Sequence, residues 1–407
     1  MKTVFLDATP LRGSSGHRGI GRFIFDLLHG LAATRDEWRD DLAIRIVHDL
    51  EWVRGCVVAD DAAAIAEVLY QVRGTSSKSL PHRRRAVIDR SAHAMGADLL
   101  HLTEALGTPL SHYMTRVVTC HDLIPLRMPL EYLGRGVERA LQPSIDTRRY
   151  AGAERIVAIS KRTRRDLCEI LGLPARMIDV VRNGIDLSQW SPTADGDAAR
   201  ISALGLHERP FVVYAGYWDE RKDVPAMLRA VAGASAHMPI QLAWAGHFTE
   251  RDLRKLRTYL AAEGVLELLP LVKFLGFVSA DDLAVLYRQA HAHVFMSRLE
   301  GFGLSVAEAM ASGCPVVAAR DSGADEVGGD AVIIVDQGDS SAAARAILRL
   351  RDATERTRLR EAGFLRAAQF DRTAMARGYV DVWRRVLNLG TRISEHPPKP
   401  VDTHTRT

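Results

Sequence analysis

The chain is expected to fold as an α/β protein of two doubly wound domains facing each other across a cleft. Short apolar, strand-like runs alternate with amphipathic, helix-like runs from one end to the other, which is the pattern of a parallel sheet covered by helices. The alternation restarts once, after a polar segment punctuated by Gly and Pro. With 407 residues and 47% hydrophobic content, the chain can bury two cores.

In the first half, strands are expected at 3–8, 43–48, 99–102, 116–120, 155–159 and 177–181, with amphipathic helices at 20–33 and 130–150. A polar stretch from Asn183 through Pro192 to Asp197 then breaks the pattern. The second series of strands is expected at 211–215, 240–245, 272–275, 292–296, 315–319 and 331–335. The resulting map is a first domain over 1–190, a linker over 191–208 and a second domain over 209–370. A helix over 371–391 would pack back toward the first domain, and a polar, Pro-rich tail over 392–407 is expected to be disordered.

The net charge is only +4, and residues 1–190 account for all of it, with 27 Lys+Arg against 23 Asp+Glu. The excess includes His82, Arg83, Arg84 and Arg85, with Arg73, Lys78 and Arg90 nearby. Such a run is a solvated helix face, or else a surface for anionic lipid headgroups or a phosphate-bearing acceptor. Aromatics make up 6% and do not interleave with it, which argues against nucleic acid as a partner. No stretch approaches the roughly 18–20 apolar residues of a membrane-spanning helix, and the first residues read as a strand with an early acid rather than a signal peptide. Cys56, Cys120, Cys168 and Cys314 are widely separated, so a reduced, cytoplasmic protein without a zinc site is expected.

The most informative stretch runs from Glu300 through Gly301, Phe302, Gly303 and Leu304 to Glu308. An apolar strand precedes it and an apolar, helix-period run follows. A helix opening near Leu304 points free backbone N–H groups and the positive end of its dipole at whatever lies over the turn. Glu300 would stand in the loop at that mouth, with Glu308 one turn inside the helix. Phosphate on the amides and hydroxyls on the two carboxylates together describe a sugar nucleotide.

Other positions add to this. Arg221 and Lys222 follow a glycine turn at Gly216, at the end of the second half's first strand, where two cations suit a diphosphate leaving group. His121, beside Asp122, stands at the carboxyl end of a strand, where open α/β sheets place functional groups, although a lone His there is more often structural. Gly19 and Gly21 lie in a loop between the first strand and first helix, where they would let the backbone approach a sugar or phosphate. That loop is an incomplete dinucleotide fingerprint, lacking its third glycine. Asp195 and Asp197 form a D-x-D in the linker, and His291 and His293 flank a strand residue. Neither pair is placed like a metal site.

The stretch from Glu300 to Glu308, with the A-E-A-M-A-x-G-x-P-V-V context around Glu308, closely resembles the E-x7-E signature of retaining family 4 glycosyltransferases. The similarity extends from about Val4 to Leu389. It takes in the His121–Asp122 pair, the basic pair at Arg221 and Lys222, and the F-L-G-x-V segment ending at Val278. The Gly-Ile-Gly-Arg-Phe opening also resembles a mannosyltransferase-like subgroup. Two departures stand out: Tyr217 where many members carry arginine, and Asp325 where proline is usual.

The resemblance implies a GT-B fold of two Rossmann-like domains, with the acceptor on the first and the donor on the second. It implies a metal-independent hexosyltransferase with no cofactor, best matched to GDP-mannose and a glycan, lipid-linked or small-molecule acceptor. Peripheral association with the inner face of the membrane is compatible with the basic first domain. The resemblance assigns His121 to sugar binding and polarisation, Glu300 to the sugar hydroxyls, and Arg221 and Lys222 to the departing diphosphate. Glu308 would hold the ribose. Gly19, Gly21, Gly216, Gly301, Phe302, Gly303 and Leu304 would line the donor site, and the backbone at Val278 would meet the base. No nucleophile is evident, so front-face transfer with the phosphate as base is expected. A UDP-sugar donor, a nucleotide-sugar epimerase of the same fold, a silent sugar-binding protein and a nicotinamide-dependent oxidoreductase are the alternatives.

Overall fold

The computed structural model describes residues 1–13, 16, 19–51, 55–71, 87–106, 108–110, 113–193, 196–246 and 248–389. The basic run at 82–85 with Arg73 and Lys78, Asp195 of the D-x-D pair and the tail after 389 lie outside them.

Two sheets account for the two series of apolar runs. The first comprises β1 (Lys2–Asp7), β2 (Leu42–Glu51), β3 (Gly55–Ala59), β4 (Leu99–Leu102), β5 (Arg116–Cys120), β6 (Arg155–Ala158) and β7 (Ile178–Val180), in the order β3-β2-β1-β4-β5-β6-β7. All its pairs are parallel except β2–β3. The second comprises β8 (Phe211–Ala215), β9 (Gln241–Ala245), β10 (Val272–Gly276), β11 (Ala292–Phe295), β12 (Val316–Ala319) and β13 (Ile333–Val335), in the order β10-β9-β8-β11-β12-β13 and wholly parallel. The expectation of two doubly wound α/β units is met. In each sheet the order reverses once, between β1 and β4 and between β8 and β11. The carboxyl ends of strands at such reversals open a crevice, which fixes where ligands can sit.

Two elements differ from the sequence reading. Strand β3 was not expected. It follows β2 after only three residues, and a connection that short can only reverse the chain, so it pairs antiparallel at the sheet edge. The helix expected over 130–150 is broken into Pro129–Tyr132 and Val137–Ala151. Gly134 between them takes the left-handed conformation, at φ +65°, which no helix accommodates.

The region between the sheets is more than a connector. Residues Asp197–Ala203 form a helix, Arg288 grips Asp197 through two hydrogen bonds of 2.7 Å, and Ile201 and Leu206 join the core containing Phe211 and Leu286. The chain crosses between the two units twice, and the crossings are hydrogen-bonded to each other. Ile185 N–H donates to the Phe370 carbonyl at 2.7 Å and Arg372 N–H to the Ile185 carbonyl at 3.1 Å. The final helix, Arg372–Val386, then lies on the first unit, where Tyr379, Val380 and Trp383 pack with Phe23, Ile24 and Leu27 of helix Gly19–Ala33.

That last helix is also tied down by a fully buried polar network. Trp383 Nε1–H donates to His101 Nδ1 at 2.8 Å, so the ring carries its proton on Nε2 and donates it to Thr119 Oγ1, also at 2.8 Å. Thr119 is in turn 3.3 Å from the Tyr379 hydroxyl. Burial holds the imidazole neutral, with its pKa lowered to about 3. Among the described residues no helix is long and apolar enough to cross a membrane.

Candidate active site

The stretch that the sequence singled out lies at the reversal of the second sheet. Strand β11 is buried along its whole length, and the chain leaves it through Ser297–Leu299 to reach Glu300. Helix Leu304–Ala311 starts from Gly303, whose φ of +110° a side chain would strain. Ser305, at the second position of that helix, is 3.3 Å from His293 Nε2, while His293 Nδ1 faces the Val213 carbonyl at 3.0 Å. A carbonyl only accepts, so Nδ1 carries the proton and Nε2 accepts from Ser305. This buried histidine therefore pins the helix start to β8. His291 bonds a different carbonyl, that of Ile347 at 2.8 Å.

Glu300 is the centre of a charged cluster. Arg221 Nη1 and Lys222 Nζ both reach its Oε1, each at 2.5 Å. All three side chains are at most 17% exposed. Arg221 Nη1 also donates to the Leu299 carbonyl at 2.9 Å, and Arg298 N–H donates to the Arg221 carbonyl at 2.7 Å, so the loops after β8 and β11 are stitched together. Burial alone would push the Glu300 carboxyl up, but Lys222 and Arg221 outweigh it and hold the pKa at about 2. Burial lowers the Lys222 ammonium from its usual value, with Glu300 opposing. The ammonium also sits 5.2 Å from the Phe295 ring centroid, a cation–π contact.

The first unit closes over this cluster. A Cβ on Gly301 would lie 2.1 Å from the His121 carbonyl oxygen, so only glycine allows the two strand ends to meet. Thr163 Oγ1 lies 3.3 Å from the Gly301 carbonyl. His121 Nε2 donates to the Thr103 carbonyl at 2.8 Å, which leaves Nδ1 as an acceptor, and its ring meets Phe23 edge-on at 4.8 Å. Burial lowers its pKa to about 4, so the ring is neutral. Gly19 stands against Leu304, its Cβ position 3.9 Å from Cδ1, and Gly21 is buried under Gly16.

Glu308 lies one turn inside its helix and is 7% exposed. Burial raises its pKa, with Arg22 of helix Gly19–Ala33 opposing. Arg22 also pairs with the buried Asp26 at 3.2 Å and covers the Trp190 ring at 5.2 Å. Gly216 and Val278 stand after β8 and β10, at the same carboxyl edge of the sheet. Gly216 takes φ +149° beneath the Tyr214 hydroxyl, and Val278 packs, partly buried, against the second unit's core. Phe302 itself is 3% exposed and meets Phe370 edge-on. Among the sequence-derived residues, Arg221, Lys222, Glu300, Gly301 and His121 are thus brought together.

Three contacts had not been expected. Asp219 caps the single turn Glu220–Lys222, accepting from Arg221 N–H at 3.2 Å, and receives the Tyr132 hydroxyl from the first unit. The Glu326 carboxylate accepts from the Lys161 and Arg162 amides, at 3.0 and 3.1 Å, at the start of helix Lys161–Leu171. Arg162 reaches the Asp321 carbonyl beside it. In the sequence Asp219 stands as an acid at a capping position two residues before Arg221, and Glu326 lies in the stretch around Asp325 that resembles the family, but neither pairing is visible there.

Comparison with known proteins gives a consistent picture. A family model described as Glycosyltransferase Family 4 matches residues 18–189, and one described as Glycosyl transferases group 1 matches residues 199–366. O-antigen chain mannosyltransferase B of Escherichia coli is 25% identical over 371 residues, spanning 86% of this chain and 92% of that protein. D-inositol 3-phosphate glycosyltransferase of Salinispora tropica is 30% identical over 310 residues, 72% of this chain and 62% of that protein. The fold is shared with sucrose-phosphate synthase of Thermosynechococcus elongatus, with a TM-score of 0.71 at 19% identity over 96% of this chain and all of that one. It is also shared with Anabaena HepE in complex with UDP and glucose, with a TM-score of 0.68 at 20% identity over 95% of this chain and all of that one.

Proposed function

The chain belongs to glycosyltransferase family 4, and from that premise we propose that it moves a mannosyl unit from GDP-mannose to a glycan acceptor with retention and without a metal. The observation that carries this reading is the convergence of Arg221 and Lys222 on one oxygen of Glu300, beside the amides of the Leu304 helix start. The two cations would neutralise the diphosphate as the glycosidic bond breaks, and the helix start would add its positive dipole end. Oε2 of Glu300, the oxygen other than the one on which both cations converge, would be offered to the sugar hydroxyls. Neutral His121 would approach the sugar from the other unit, and Glu308 would hold the ribose. The carboxyl edge of the second sheet, from the Leu304 helix start with Gly19 against it toward Gly216 and Val278, would take the rest of the nucleotide. No carboxylate is assigned as nucleophile, so front-face transfer follows.

The mannosyl assignment is supported by the E. coli relative, which spans nearly the whole chain. A second reading, transfer to a small phosphorylated acceptor, is favoured by the inositol phosphate glycosyltransferases, which are somewhat more identical over a shorter span. The setting we assign is cytoplasmic, with any membrane contact made from the basic first unit.

A thermal-shift series with GDP, UDP and ADP, on wild type and Lys222→Ala, tests the donor site. A ligand that binds only the folded state raises its melting temperature by mass action. A rise with GDP that is lost in Lys222→Ala is the expected result. A rise with UDP alone would replace GDP-mannose as donor, and no rise with any nucleotide would overturn the donor reading. Labelled sugar leaving the nucleotide in the absence of any acceptor, and returning as an epimer, would identify an epimerase instead.

A further inference from the structure

We propose that Tyr132 and Asp219 form a positioning pair that fixes the Arg221 guanidinium when the two halves of the molecule close. This rests on the reading of Arg221 and Lys222 as the diphosphate-binding cations. Asp219 belongs to the loop after β8, and Tyr132 to the short helix Pro129–Tyr132, a few residues after His121. The Tyr132 hydroxyl donates to Asp219 Oδ1 across the cleft. The same carboxylate oxygen accepts from the Arg221 backbone N–H at 3.2 Å and lies 3.7 Å from the Arg221 Nε. Arg221 in turn spends Nη1 on Glu300 and Leu299. The guanidinium is thus held at both ends, by the Glu300 loop at Nη1 and by Asp219 at Nε, and Tyr132 brings the other half of the molecule to the second hold, beside Arg221 itself. Without Tyr132 the carboxylate of Asp219 keeps the Arg221 N–H but loses its tie to the other half, and its hold on the Arg221 Nε loosens. Neither residue touches the reacting atoms. Their effect is to make the cation ready only once the acceptor-side half has docked.

The test is steady-state nucleotide release from GDP-mannose and UDP-glucose in water by the full chain, together with GDP and UDP affinity by calorimetry. The proteins compared are wild type, Tyr132→Phe, Asp219→Ala and the double variant. Tyr132→Phe is expected to lower kcat about tenfold while leaving donor KM and nucleotide affinity within about twofold, because the lost contact acts on turnover and not on ground-state binding. In the double variant Tyr132→Phe should add nothing to Asp219→Ala, since both act through one carboxylate. An unchanged kcat in Tyr132→Phe, or effects that multiply in the double variant, would overturn the pair while leaving the donor reading intact. Wild type that binds neither GDP nor UDP would overturn the donor reading itself, and the pair with it.

Discussion

Glu300 carries structural weight as well as the role proposed for it, because Arg221 and Lys222 meet on its carboxylate. Replacing it by glutamine keeps the shape but removes the charge. Breaking a buried ion pair from one side costs about 3–5 kcal/mol, since the remaining charge is left uncompensated. Arg221 keeps Asp219, 3.7 Å from its Nε, so the lower end, about 3 kcal/mol, is the expectation for Glu300→Gln. The pH dependence checks the cause. The folded pKa is lowered to about 2 from an ordinary 4.5, so the unfolded state binds the proton first as the pH falls. The stabilisation is therefore complete above pH 4.5 and lost as the pH falls toward 2. Urea midpoints of wild type should drop through this window, and those of Glu300→Gln should drop less. Parallel curves for the two proteins would mean that the ion pair contributes nothing net.

At the scale of elements, the last helix depends on the ring of His101. The Trp383 indole and the Thr119 hydroxyl use both of its nitrogens, one as acceptor and one as donor, which only the neutral ring can supply. A Trp383→Phe substitution strands Nδ1 as a buried acceptor and should cost about 1–3 kcal/mol. The same neutral ring predicts a second pH effect of defined sign. With the folded pKa lowered to about 3 and the unfolded value at 6.5, stability is full above pH 6.5 and declines as the pH falls toward 3. Urea midpoints at pH 8 and pH 5.5 should differ in wild type and differ less in His101→Asn, and an equal difference would place the proton elsewhere. This network also shows where sequence reading stops. The helix at the chain's end and the strands it covers were legible from their apolar periods. That His101 would meet Trp383, 282 residues away, depends on the packing of three elements at once. The charged site divides in the same way. Glu300, Glu308, Arg221, Lys222 and His121 could be singled out because each follows a glycine turn or a strand end within a stretch that resembles the family, while the roles given to them come from that resemblance. Tyr132 with Asp219, 87 residues apart, and Glu326 with Lys161, 165 apart, left no such signal because their pairing depends on how the two halves dock. Strand β3 and the break at Gly134 were missed for the opposite reason, since single local residues decided against a longer apolar pattern.

For the whole molecule, the balance between open and closed forms rests on few groups. Across the cleft mouth the polar contacts include Glu326 on the Lys161 and Arg162 amides and 3.7 Å from Arg182 Nε, Arg162 on the Asp321 carbonyl, Thr163 on the Gly301 carbonyl and Tyr132 on Asp219. Interfaces of this kind between units of one chain permit relative motion. Glu326 is the strongest of these holds, because its carboxylate takes two backbone donors at the positive end of a helix that Ser160 caps from the other side. Glu326→Ala should therefore destabilise the closed form by about 1–2 kcal/mol, on the order of a tenfold shift toward the open one. The crossings at Ile185 and Phe370, and the apolar packing of the last helix, are untouched by the change, so the melting temperature should move little. Ligand affinity should move more, because a protein whose competent form is only a fraction of the population binds more weakly by that fraction. Small-angle scattering should then show a larger radius of gyration for Glu326→Ala without ligand, contracting to the wild-type value when the nucleoside diphosphate that binds wild type is added in excess. A radius unchanged from wild type would mean that the buried apolar surface behind Gly301 and Phe302, and not the Glu326 contact, holds the halves together, and closure would then be a fixed property of the fold.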